Sequence, residues 1–238
     1  MGSGGSQKIF TTVKSYSKRG QLLKRSDLQT LAESRDLDEL VTRIKNTKYL
    51  DAINSVAKPY TAEKLEIALR AKLADEQFKI AKSSGNSKIL DAFFQRFIIS
   101  NLKLILKGKI LGKSQEEISA FFNMHAEELA KQRDIVVKAL VAKDLEEAVS
   151  SLGSSPFSDE IQKAVELYNE TKNIQAFDVY FDKMLYQNIT RALRSENDQD
   201  ISHIYGMETD FYNVMSIVRG KFWGLDDERI EDLTVGAS

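Results

Sequence analysis

The sequence predicts an all-α protein, and three observations carry that prediction. Proline occurs twice and glycine twelve times in 238 residues, with few β-branched runs, a composition that favours helices. Apolar residues recur at helical spacing over long stretches, Leu102, Ile105 and Leu106 among them. One stretch also returns later in the chain: 101–121, NLKLILKGKILGKSQEEISAF, is echoed by 213–233, NVMSIVRGKFWGLDDERIEDL. With Asn213 laid on Asn101, a shift of 112 residues, Ile105, Gly108, Lys109, Gly112, Glu116 and Ile118 fall on Ile217, Gly220, Lys221, Gly224, Glu228 and Ile230. A repeat that keeps its glycines in register repeats a backbone shape.

The elements follow in order. Residues 1–6, MGSGGS, read as an expression linker that also fits a myristoylation pattern. Residues 8–25 form a basic first helix whose Lys14, Lys18, Arg19, Lys24 and Arg25 make a solvated face, given the neutral total. Residues 34–53 match 142–161 at a shift of 108, with Asp36 and Asp144 each marking an acidic helix start. Thr61 caps a long helix to about Ser83, and its counterpart runs from Ile174 to Arg194 with Phe177, Phe181, Leu185 and Ile189 as one stripe. Polar breaks at 84–86 and 196–198 precede the next long helices, from about Lys88 and Ile201.

Those helices lead into the repeated motif. Lys109 and Lys221 fall in last turns, where a cation meets open carbonyls and contributes roughly 0.3–1 kcal/mol. Gly112 and Gly224 suit the left-handed residue that ends a helix. Ser114 and Asp226 are N-cap candidates, and Ser114 with Glu117 makes a capping box. Gly108 and Gly220 lie inside the preceding helix, where glycine costs roughly 1 kcal/mol against alanine. Close helix packing accounts for them, and a ligand is the other reading. The pattern cycles about every 110 residues: a linker at 1–6, a first helical repeat at 7–100, a second at 101–212, and the start of a third at 213–238. A third repeat of that length predicts apolar side chains without partners, such as Phe222, Trp223 and Leu225, and with them self-association of the chain or a mobile C-terminal end.

Few residues promise chemistry. Lys and Arg number 34 against 35 acids, so nothing draws the chain to nucleic acid. Cysteine is absent, which fits a reducing compartment and excludes disulfides and thiolate metal sites. The closest approach to a membrane span, 93–110, is broken by Arg96, Lys103, Lys107 and Lys109. Gly108 to Ser114, GKILGKS, imitates a phosphate-binding loop but has three residues between its glycines where four are needed, and a helix before it instead of a strand. His125 and His203 are the only histidines, and Asp200 with His203 falls short of a bundle metal site. Asp178 and Asp182, one turn apart, read as a solvated helix face. No nucleophile, base and oxyanion site assemble, so the expectation is no catalytic residue, no cofactor and no metal. Trp223 is either a docking anchor or a core side chain.

Taken together these segments resemble the C subunit of archaeal A-type and bacterial V-type rotary ATPases, the equivalent of the d subunit of the eukaryotic V-ATPase. The likeness covers nearly the whole chain after residue 6. It is carried by KRGQLLKRSDLQTL, DLDELVTRIKNTKY, NLKLILKGKILG, FDVYFDKMLYQNITRAL and above all ETDFYNVMSIVRGKFWGL, where a signature falls on Glu208, Asp210, Asn213, Arg219, Gly220 and Lys221. Two departures stand out: Ile98 occupies the second-cycle equivalent of Asp210, and most of the family's third repeat is missing. The resemblance implies a pseudo-threefold helical funnel that sits peripherally on the cytoplasmic face of the membrane proteolipid ring and receives the central stalk. It implies no catalytic residue, only mechanical coupling of ion flow to ATP synthesis or hydrolysis. Lys107, Lys109, Arg219 and Lys221 would then stand at equivalent helix ends, facing ring or stalk or complementing their own helix dipoles. The alternatives are a helical-repeat scaffold for an unrelated protein and a nucleotide enzyme using 108–114.

Overall fold

The computed structural model describes residues 3–85, 87–196 and 199–236. Among them are fourteen α-helices and no strand. In chain order these are α1 (Ser3–Arg19), α2 (Arg25–Ala32), α3 (Leu37–Lys45), α4 (Leu50–Asn54), α5 (Ala62–Ser83), α6 (Lys88–Ile110) and α7 (Gln115–Ser119). There follow α8 (His125–Ala130), α9 (Arg133–Val141), α10 (Leu145–Ser151), α11 (Ser158–Thr171), α12 (Ala176–Glu196), α13 (Gln199–Phe222) and α14 (Asp227–Asp232). Helix α1 reaches back through Ser3 to Ser6, so these join the first helix; Met1 and Gly2 of the expected linker lie outside the described residues. The break expected at 196–198 also falls partly outside them.

Short polar side chains set the helix starts. Asp36 opens α3 by accepting the Glu39 N–H at 2.8 Å, and Asp144 opens α10 by accepting the Glu147 N–H at 3.0 Å. These are the two positions that the 108-residue shift pairs. Thr61 does the same for α5, accepting the Lys64 N–H at 3.3 Å. Each such cap satisfies an orphan donor and is worth about 1 kcal/mol.

The chain divides into two compact units, Met1–Ser87 with Phe121–Ala130, and Lys88–Ala120 with Lys131–Ser238. In the first, α3, α4 and α5 close over Val41, Ile44, Ile53 and Leu65. Helix α1 is held to α5 by its lysines: Lys18 meets Glu76 at 2.6 Å, and Lys14 donates to the Lys79 carbonyl at 3.1 Å. The basic face therefore works partly as a clamp. Helix α8 also lies on α5, with His125 Nε2 2.8 Å from Asp75 Oδ1.

The second unit is built on α6. Its Ile98, Ile99, Leu102, Ile105 and Leu106 are 0–2% exposed, and α9, α10 and above all α12 cover them. Helix α12 contributes Phe177, Tyr180 and Phe181, all buried. Burying each such side chain stabilises by about 1.5–3 kcal/mol, so this contact dominates the unit. Phe177, Phe181 and Ile189 of the expected stripe are buried, and Leu185 packs at its edge. Helix α11 backs α12 with Ile161, Ala164 and Leu167. Helix α13 then packs on the far end of α12, where Tyr205 joins Ile89, Ala92, Ile189 and Leu193 in one cluster.

Candidate partner interface

The repeated motif folds the same way twice. At the end of α6, Gly112 adopts φ 65°, and at the end of α13, Gly224 adopts φ 73°. The Lys113 N–H donates to the Gly108 carbonyl at 2.9 Å, and the Leu225 N–H to the Gly220 carbonyl at 3.0 Å. That six-to-one bond across a left-handed glycine satisfies carbonyls a helix end leaves open. Ser114 accepts the Glu117 N–H at 3.1 Å while Glu117 accepts the Ser114 N–H at 2.8 Å, completing the capping box that opens α7. Asp226 opens α14 by accepting the Arg229 N–H at 2.8 Å.

The interior glycines are explained by the helix that follows. A Cβ on Gly108 would stand 2.7 Å from Ile118 Cγ1, and one on Gly220 2.6 Å from Ile230 Cγ1. Both isoleucines are buried. Close helix packing, not a ligand, requires the glycines. The same geometry removes the nucleotide-loop reading: a helix precedes 108–114, the Lys113 N–H is spent on Gly108, and Lys113 Nζ pairs with Glu117 at 2.8 Å.

The four cations of the motif have unlike surroundings. Lys107 Nζ donates to both oxygens of Asp178, at 2.8 and 3.0 Å, and Lys103 one turn earlier donates to Asp182. Two lysines on α6 thus meet two aspartates on α12, and the expected solvated face of Asp178 and Asp182 is half-buried and paired. The i,i+4 spacing of Lys103 and Lys107 against that of Asp178 and Asp182 was the signal available for this match. Lys109 Nζ donates to the carbonyls of Leu140, at 2.9 Å, and Ala142, closing the C-terminus of α9. It complements a helix end, but of another helix than its own. Lys221, its equivalent, is exposed and pairs with Asp227 at 2.5 Å. Arg219 is half-buried, and among the described residues it has no ion-pair partner. Trp223 is half-buried on the turn, whereas Phe222 beside it is 88% exposed.

Asn213 of the signature holds the end of the described chain. Its Nδ2 donates to the Val235 carbonyl at 3.0 Å and its Oδ1 accepts the Val235 N–H at 2.8 Å. Beside it the buried Tyr212 hydroxyl lies 2.9 Å from the Val179 carbonyl and 3.0 Å from that of Leu233. Burial pushes that phenol well above its ordinary pKa. Asp232 anchors α14 to α11 and α12, accepting from Tyr180 at 2.9 Å and from Lys183 and Lys163. Burial works to raise its pKa, and the hydrogen bond from Tyr180 with the charge of Lys183 outweighs it, so the carboxyl sits below its ordinary range. Among the described residues no group of three His, Cys, Asp or Glu is placed to hold a metal ion, and no helix is long and apolar enough to cross a membrane.

What remains is a pair of glycine-turn helices, a set of internal clasps and no assembled reaction centre among the described residues. The model of the family described as ATP synthase (C/AC39) subunit matches residues 11–235. The chain belongs to the ATP synthase C/AC39 subunit family. Relatives named as the C subunit of A-type ATP synthase include one from Methanocaldococcus jannaschii, 28% identical over 93% of this chain and 56% of the relative. Another, from Thermococcus kodakarensis, is 26% identical over 90% of this chain and 57% of its own length. A third, from Methanosphaera stadtmanae, is 25% identical over 95% and 57%. The chain therefore spans a little over half the length of these curated relatives. No solved structure matches it.

Proposed function

We propose that this chain acts as a non-catalytic rotor subunit of an A-type or V-type rotary ATPase. It holds the central stalk to the membrane proteolipid ring, on the cytoplasmic side, so that ion translocation and ATP synthesis or hydrolysis turn together. The observation that carries the reading is the family match across 11–235. The mechanics of the second unit support it. A torque adaptor must not yield when twisted, and α6 is locked to α12 by a close-packed apolar face and by the Lys103, Lys107, Asp178 and Asp182 clasp. The repeated helix–turn–helix, with each turn wedged by glycine against isoleucine, is a second rigid joint.

The test is retention of purified central-stalk subunits of an archaeal A-type ATP synthase by the immobilised chain, with ATP turnover by the chain measured alongside. The expected result is a stoichiometric complex and no turnover. Failure to retain any stalk subunit, or ATP hydrolysis by the chain alone, would overturn the reading.

A further inference from the structure

Helix α1 is oriented in reverse within the first unit. Its polar row faces protein: Thr11 donates to the Ser83 carbonyl, Lys14 donates to the Lys79 carbonyl at 3.1 Å, and Lys18 meets Glu76 at 2.6 Å, all three on α5. Its apolar row faces water. Ile9, Val13 and Tyr16, at spacings of four and three, and Phe10 beside them are each 60–67% exposed. The pattern continues past the helix, where Leu22 is 60% exposed, α2 buries none of its residues and Leu28 is 54% exposed. An amphipathic helix ordinarily turns its apolar stripe to the core, so this open stretch marks an interaction surface.

Charge is segregated over the same stretch. Residues 8–25 carry six Lys and Arg and no Asp or Glu, which leaves 28 basic residues against 35 acidic ones in the rest of the chain. Of the six, Arg19, Lys24 and Arg25 are exposed and make no ion pair among the described residues. We propose that α1, with Leu22 and α2 behind it, docks on a lipid bilayer that carries anionic headgroups. The helix lies in the plane of the surface, its apolar row enters among the upper acyl chains, and the free cations meet lipid phosphates. Buried apolar area and attraction to anionic lipid both favour such a helix. It rests on the membrane without crossing it, since no helix among the described residues is long and apolar enough to span one. A second copy of this chain is a poorer occupant, because a symmetric contact would set one cationic stretch against another. The contact is made to lipid directly and does not depend on the rotor reading, in which the proteolipid ring holds the chain at the membrane.

The test is sedimentation of the whole chain with vesicles of phosphatidylcholine alone and with vesicles containing phosphatidylglycerol, at low and at raised salt. The expected result is binding at least about ten-fold tighter to the anionic vesicles, weakening as salt is raised. Phe10→Asp combined with Val13→Asp should weaken that binding about ten-fold or more and leave the melting temperature unchanged, since both side chains already stand in water. Arg19→Glu combined with Arg25→Glu should remove the preference for anionic vesicles. No binding to either vesicle, equal binding to both, or binding indifferent to both pairs of substitutions would overturn the proposal. So would a homodimer dissolved by Phe10→Asp with Val13→Asp, or loss of stalk retention in that variant with vesicle binding intact, which would give the face to a protein. Stalk retention by the unaltered chain is scored separately, so failure on vesicles leaves the rotor reading standing, and the reverse.

Discussion

Helices α6 and α13 carry the same motif and lead opposite lives. On α6, Leu102, Ile105 and Leu106 are fully buried, whereas their equivalents Val214, Ile217 and Val218 on α13 are 57%, 43% and 56% exposed. The glycine turn beyond each helix is nonetheless the same, down to its left-handed residue and its isoleucine wedge. The difference teaches that the turn is a local structure, made by residues within about a dozen positions, while the fate of the apolar face depends on what arrives from elsewhere in the chain. A periodic stripe says which side of a helix avoids water; it does not say what stands against it.

The comparison is broken most severely at the paired apolar positions. Leu102→Ala should destabilise the protein by about 2–5 kcal/mol in urea unfolding, through lost burial and a residual cavity. Val214→Ala should stay within about 0.5 kcal/mol, since its side chain is already largely in water. Equal costs would mean that α13 is covered in solution.

Next come the glycines, where the two copies should agree. Gly108→Ala and Gly220→Ala each force a Cβ against isoleucine, at 2.7 and 2.6 Å. Overpacking costs about 1–3 kcal/mol, and the better helix propensity of alanine returns about 1 kcal/mol. A net loss of about 1 kcal/mol is expected at both sites, and it should shrink in an Ile118→Ala or Ile230→Ala background, read as a double-mutant coupling.

The charged positions should differ again, by less. Lys107→Ala leaves the half-buried Asp178 with a weaker partner set and should cost on the order of 1 kcal/mol. Arg219→Ala should be nearly neutral to the stability of the chain alone. The smallest effect concerns Asp232, which ties α14 to Tyr180 and Lys183 where α7 has its capping box instead. Its folded pKa lies below the ordinary aspartate range, so its stabilisation is present above that range and is lost as pH falls through the lower folded value. Asp232→Asn should flatten the acid limb of the stability profile and leave the neutral limb in shape unchanged.

Much of this was legible in the sequence because it is local. Asp36, Thr61, Ser114, Asp144 and Asp226 all cap the helices expected of them, since a cap needs only a short polar side chain and an amide three residues on. Gly112 and Gly224 take the left-handed conformation that their place after an apolar run requires. The candidate interface was less legible. Lys107 and Lys109 bond to groups 71 and 31 residues away, and a lysine in a last turn looks the same from the sequence whether it meets its own helix, another helix or a partner. Of the three residues expected to lack partners, Phe222 is 88% exposed whereas Trp223 and Leu225 are half-buried, and the open face continues from Phe222 up α13 through Val218, Val214 and Phe211. The repeat had matched Val214 and Val218 to residues of α6, and only the structure distinguishes the covered copy from the open one.

Native-state hydrogen exchange of the chain alone tests the central claim most directly, by setting 98–106 on α6 against 210–218 on α13. If the two are one structural unit with only the first covered, α6 exchanges through global unfolding and α13 through local opening, at least about ten-fold faster. Equal protection along both helices would contradict it.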